Sequence, residues 1–96
     1  MILDELRKNK AAIESLANRH GASRIRVFGS VARGEEKPES DIDLLVELPR
    51  GYDLFGQRLA LQRGLEALIG HRIDLIPDHE LNRHIQQQVL REAIDI

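Results

Sequence analysis

Apolar residues at Ile2, Leu6, Ile13, Leu16 and Ala17 recur at spacings of three, four and seven, which predicts one helix from about Leu3 to His20 with a single buried face. Asp4 and Glu5 fall early in it, Lys8, Lys10 and Arg19 fall later as the helix dipole favours, and Gly21 stops it. In RIRVFGS the period changes to two: Ile25 and Val27 alternate with Arg24, Arg26 and Phe28, a half-buried strand that ends at Gly29. Gly, Pro, Ser and charges crowd the following segment, so a short turn or helix gives way to a surface loop from Gly34 to Ser40. DIDLLVEL alternates again, with Ile42, Leu44, Val46 and Leu48 on one face and Asp41, Asp43, Leu45 and Glu47 on the other, and Pro49 closes this second strand.

Between Asp53 and Ile69 the helical period returns through Leu54, Leu61, Leu65 and Leu68, with Asp53 as N-cap and Gly70 as stop. Gly56 and Gly64 inside that helix each cost about 1 kcal/mol relative to Ala. RIDLIP is a third short strand, with Ile73 and Leu75 opposite Arg72, Asp74 and Ile76. Leu81, Ile85 and Val89, with Leu90 and Ala93 beside them, mark a terminal helix from about Asn82 to Glu92. No internal repeat, low-complexity tract or linker interrupts the chain. The fold class is therefore mixed α/β (α+β), a small mixed sheet of about three strands flanked by helices in the order α-β-(short α)-β-α-β-α, within one domain over residues 1–96.

This order of elements brings acids together. Asp41 and Asp43 are two apart on a strand, so they project from one face with Cα atoms about 7 Å apart. The helical segment between strands two and three is the kind of crossover that parallel neighbours need, so Asp74 falls beside Asp43 on the non-core side. Three such anions repel one another unless a cation is present, and hard dications such as Mg²⁺ bind carboxylate oxygens at about 2.1 Å while sharing them with substrate phosphates. The short link from strand one to strand two suits an antiparallel pair, which places Gly29 and Ser30 at the border of the acidic cluster. Gly29 has no Cβ to obstruct a phosphate, and Ser30 offers a hydroxyl and a backbone N–H at the start of a short helix. Carboxylates, a dication and a triphosphate arranged in this way supply the electrostatic stabilisation and in-line positioning that nucleotidyl or phosphoryl transfer needs.

Composition narrows the field of functions. Ninety-six residues suit one domain, and 42% hydrophobic with 31% charged residues is the balance of a folded protein. Two Phe, one Tyr and no Trp leave no platform for stacking bases, and a net charge of -2 provides no basic field for a nucleic-acid backbone, so direct nucleic-acid binding is not expected. The absence of Cys removes thiolate catalysis, disulfides and Cys-based zinc sites and is compatible with the cytoplasm. No apolar stretch is long enough to span a bilayer, and MILDELRKNK has no apolar signal-like core, so a cytoplasmic protein without membrane association is expected.

Read together, Gly29-Ser30, ten intervening residues and Asp41-Ile42-Asp43 form G-S-x10-D-x-D. A bare D-x-D is a weak signal in a chain with seven Asp, but the added Gly-Ser at fixed spacing occurs by chance in roughly one chain in several hundred. The motif resembles the nucleotidyltransferase signature of the DNA polymerase β-like superfamily, and the chain resembles the minimal nucleotidyltransferases (MNT) that pair with HEPN proteins in toxin–antitoxin modules. The likeness runs through the leading helix, VFGSVARGEEKPESDIDLLVEL, RIDLIP and the closing VLREAIDI. It implies the nucleotidyltransferase fold and transfer of AMP from ATP, with Mg²⁺, to a hydroxyl of a HEPN toxin, a tyrosine, by a chain acting as antitoxin in a hetero-oligomer. On this resemblance Asp41, Asp43 and Asp74 hold metal and are catalytic, Asp74 also accepts the acceptor's proton, and Gly29, Ser30 and Arg33 bind the nucleotide. Only about twenty residues follow Asp74, in contrast to larger relatives that modify antibiotics, so the acceptor is expected from a partner or a second copy.

Plainer readings stand beside these. Asp41 and Asp43 fit solvated strand residues, Asp74 fits a surface acid paired with Arg72, Arg33 an ordinary exposed arginine, and Ser30 an N-cap that still permits phosphate binding. His20, His71, His79 and His84 show no metal-ligand spacing and receive no site. Leu90, Ile94 and Ile96 offer an apolar edge to a partner. Two other functions remain open: a non-catalytic binding module that neutralises its partner by occlusion, and a dimeric nucleotidyltransferase acting on a small molecule.

Overall fold

The computed structural model describes residues 2–96. Helices α1 (Ile2–Lys8) and α2 (Lys10–Arg19) lead into strand β1 (Ile25–Phe28), the short helix α3 (Gly29–Arg33) and strand β2 (Ile42–Val46). A π-helical turn over Leu54–Leu59 runs into α4 (Ala60–Ile69), followed by β3 (Ile73–Pro77), a 3₁₀ turn over Asp78–Glu80, α5 (Gln86–Glu92) and β4 (Ile94–Asp95). The sheet has the order β3-β2-β1-β4, with β1 antiparallel to β2 and β4, and β2 parallel to β3. The parallel pair and its helical crossover agree with the expectation from sequence. The sheet has four strands where about three were expected. The extra one, β4, is two residues long and is fastened to β1 by Arg24, whose Nε and Nη2 each donate to Asp95 at 2.9 Å.

One face of the sheet carries the main core. Val27, Ile42, Leu44, Val46, Ile73 and Leu75 meet Leu6 of α1, Ile13 and Ala17 of α2, and Leu61 and Leu65 of α4. Gly64 permits the close approach of α2 and α4, because a Cβ there would stand 2.8 Å from Leu16 Cδ2. The opposite face is only half open. Phe28, Leu45 and Val89 form a second, smaller cluster, joined by Ile76, Leu81 and Ala93, so α5 lies over that side of the sheet. Leu45, assigned by alternation to the non-core face, is 1% exposed for this reason.

Three helix boundaries expected from sequence, and the burial of several apolar residues, need correction. The leading helix breaks at Asn9, whose side-chain Nδ2 donates to Glu5 O at 2.8 Å and competes with the helical ladder. The helix expected from Asp53 begins as a π turn, with Asp53 accepting from Phe55 N at 3.1 Å as its cap. Leu54 and Leu68 lie outside its buried stripe, at 43% and 38% exposure. The terminal helix starts at Gln86 instead of Asn82, because Asn82 Oδ1 accepts from His84 N at 2.8 Å and folds that stretch into a turn, leaving Ile85 exposed. Of the apolar edge anticipated at the C-terminal end, only Leu90 is open, while Ile94 and Ile96 pack against the main core. Among the described residues no helix is long and apolar enough to cross a membrane.

Candidate active site

Strand pairing sets the positions of the acids. Across the antiparallel pair Phe28 faces Asp43, and across the parallel pair Asp43 faces Asp74. Directly paired residues point to the same side, so both carboxylates rise from the face that α5 partly covers. Asp43 is half-buried there and Asp74 exposed. Asp41 lies one residue before β2, exposed, with its Oδ1 3.6 Å from Nε of Arg72. Arg72 is thus the partner of Asp41 and not of Asp74.

Where β1 ends, the chain turns sharply at Gly29, which has φ +73° and is buried. A Cβ at this position would overlap the Asp43 carboxylate, so a glycine is required both by the backbone and by its neighbour. Ser30 follows, half-buried, and α3 carries Arg33 to the same rim. The backbone N–H of Gly29 donates to Glu92 Oε1 at 3.0 Å, and Arg33 Nη1 lies 3.2 Å from both oxygens of Glu92, while Arg33 Nε donates to Glu35 at 2.6 Å. Gly29, Ser30, Arg33, Asp43 and Asp74 therefore share one rim of the sheet, with Asp41 at its edge.

Electrostatics at the rim are dominated by negative charge. Burial raises the Asp43 carboxyl above its ordinary value, and Asp74 and Asp41 raise it further; Arg33 opposes them, and Glu92 adds to the rise. The Arg33 guanidinium is held more firmly protonated by its hydrogen bonds to Glu35 and Glu92.

Residues 9–96 match the nucleotidyltransferase domain family. The chain belongs to that family. It is 41% identical over 81 residues to protein adenylyltransferase MntA of Thermococcus cleftensis, an alignment covering 84% of this chain and 81% of that protein. A solved structure provisionally described as a minimal nucleotidyltransferase superposes with a TM-score of 0.86 at 47% identity, covering 100% of this chain and 97% of that one. A crystal structure of a toxin–antitoxin with AMP-PNP superposes with a TM-score of 0.74 at 25% identity, covering 91% of this chain and 71% of that one.

In this nucleotidyltransferase the donor set suits a hard dication: carboxylate oxygens on adjacent strands, with Asp43 crowded by like charge and therefore relieved by a cation. Among the described residues no three acidic or histidine side chains are closed together into a ready cage. Asp41 is turned toward Arg72, and Asp43 and Asp74 stand side by side without a third ligand. Glu92 was not identified from sequence as a member of the site. The available signal was an acid in the last turn of a helix, where the dipole disfavours it and a separate partner must hold it.

Proposed function

We propose that this nucleotidyltransferase transfers AMP from ATP, with Mg²⁺, to a tyrosine hydroxyl of a HEPN-type toxin and thereby acts as its antitoxin in a cytoplasmic hetero-oligomer. The observation that carries the reading is the register of Asp43 and Asp74 on neighbouring strands beside the bend at Gly29. The likeness to protein adenylyltransferase MntA and to a toxin–antitoxin with AMP-PNP supports the choice of nucleotide and of a protein acceptor.

In this mechanism Asp43 and Asp74, joined by Asp41 once it leaves Arg72, would hold the magnesium, which would offset charge on the phosphates. Gly29 supplies a backbone N–H, Ser30 a hydroxyl and N–H, and Arg33 a guanidinium to the triphosphate oxygens. Asp74, the exposed member of the pair, faces the arriving acceptor and takes the proton of its hydroxyl. The acceptor oxygen forms a bond to the α-phosphorus as the bond to pyrophosphate breaks, and the proton leaves to solvent from Asp74. Asp43, deeper and held by its neighbours, fixes the geometry.

Intact-mass measurement of a co-expressed HEPN partner tests the proposal. The wild-type chain is expected to add the mass of AMP to the partner, and Asp41→Asn or Asp43→Asn to leave the partner unmodified while the chain stays folded. Undiminished modification by both variants rejects the assignment.

A further inference from the structure

Two donors assigned above to the triphosphate already have an anionic partner within the chain. Glu92 Oε1 accepts from Gly29 N at 3.0 Å, and both Glu92 oxygens lie 3.2 Å from Arg33 Nη1. A carboxylate presents oxygen acceptors much as a phosphate edge does, and the single N–H of Gly29 has no capacity to serve both at full strength. Resting on the nucleotide-site reading, we infer that Glu92 is a built-in occupant of the phosphate seat and that nucleotide binds by displacing its carboxylate from Gly29 and Arg33.

The surroundings of Glu92 suit a displaceable anion. Its side chain is 20% exposed, so a path to water is open. It ends α5, and Ala93 has already left helical geometry at ψ 133°, so the side chain swings out without breaking helical hydrogen bonds beyond it. Neighbouring charge favours release: Asp43 lies close enough for Glu92 to disfavour its ionisation, and the end of a helix repels an acid. What holds Glu92 inward is its pair of contacts with Gly29 and Arg33, together with the anchoring of α5 through Val89 on Phe28 and Leu45. Its single negative charge keeps Arg33 aimed at the rim, and a triphosphate, carrying more charge and more acceptors, replaces it there.

The opposite role, a positioning residue that braces Gly29 and Arg33 for the nucleotide, predicts the opposite sign on substitution. Calorimetric titration of ATP with Mg²⁺ into the full-length wild type, Glu92→Gln and Glu92→Ala separates the two. The expected result is ATP binding about five- to tenfold tighter in both variants, since the competing charge-assisted contacts are weakened or gone. If Glu92→Ala fails to fold, Glu92→Gln, which keeps the shape and an acceptor oxygen, decides. ATP uptake by the wild type with equal or weaker uptake by the variants overturns the inference and leaves the proposed function standing. No uptake by any of the three removes the nucleotide site itself, and the inference with it.

Discussion

Oδ2 of Asp43 occupies the space that a Cβ on Gly29 would need. The bend after β1 and the Asp43 side chain are therefore fitted to each other in shape.

Gly29→Ala tests that fit. Ala at φ +73° is strained and its methyl group overlaps the Asp43 carboxylate. The substitution is expected to cost about 2 to 3 kcal/mol in urea denaturation and to abolish AMP transfer even where the domain stays folded.

Asp43 also makes stability depend on pH in a defined direction. Its carboxyl is raised in the folded chain, first by burial and then by Asp74 and Asp41, so the folded state holds that proton more tightly than the unfolded chain does. The corresponding stability is present below the unfolded value of about 4 and is lost as pH rises through the folded value. Asp43→Asn, which lacks this titration, should therefore gain relative to wild type as pH is raised from 3.5 to 7 in paired denaturation curves. A gain that shrinks over the same range contradicts the crowding of charge at Asp43. Added Mg²⁺ should raise the melting temperature of wild type more than that of the variant.

Arg33 is exposed and its ion pairs with Glu35 and Glu92 lie at the surface, so Arg33→Ala should leave the denaturation midpoint nearly unchanged. Its proposed role is in nucleotide binding. The KM for ATP is expected to rise several-fold with kcat less affected, measured by steady-state transfer to the partner.

Leu65 and Leu68 sit on the same apparent apolar stripe but are buried to different extents, at 0% and 38% exposure. Leu65→Ala should cost about 2 to 5 kcal/mol and Leu68→Ala under about 1 kcal/mol in thermal or urea melts.

The contrast between those two leucines marks the limit of periodicity as a guide. Alternation in DIDLLVEL and RIDLIP gave Asp43 and Asp74 a shared face, because a strand's side chains follow the pleat wherever the strand packs, and the helical crossover between the two strands made them neighbours. Helical stripes carry less information about their ends. Asn9, Asn82 and the turn after Asp53 are governed by side chains bonding to nearby backbone, which leaves the spacing of leucines unchanged. Strand β4 is too short to alternate, and it is defined by pairing with β1 and by Arg24 on Asp95. Glu92 is separated from Gly29 by 63 residues, and only the return of α5 across the sheet brings the two together.

The proposed function requires Asp43 and Asp74 to share a dication next to phosphates seated at Gly29. Replacing Mg²⁺ by paramagnetic Mn²⁺ in the presence of a non-hydrolysable ATP analogue, and recording amide line-broadening by NMR, tests it most directly. Gly29, Ser30, Asp43 and Asp74 are expected to lose their signals first, while residues of the Leu54–Leu59 turn stay sharp. Sharp signals at both Asp43 and Asp74, with broadening centred elsewhere on the chain, would contradict it.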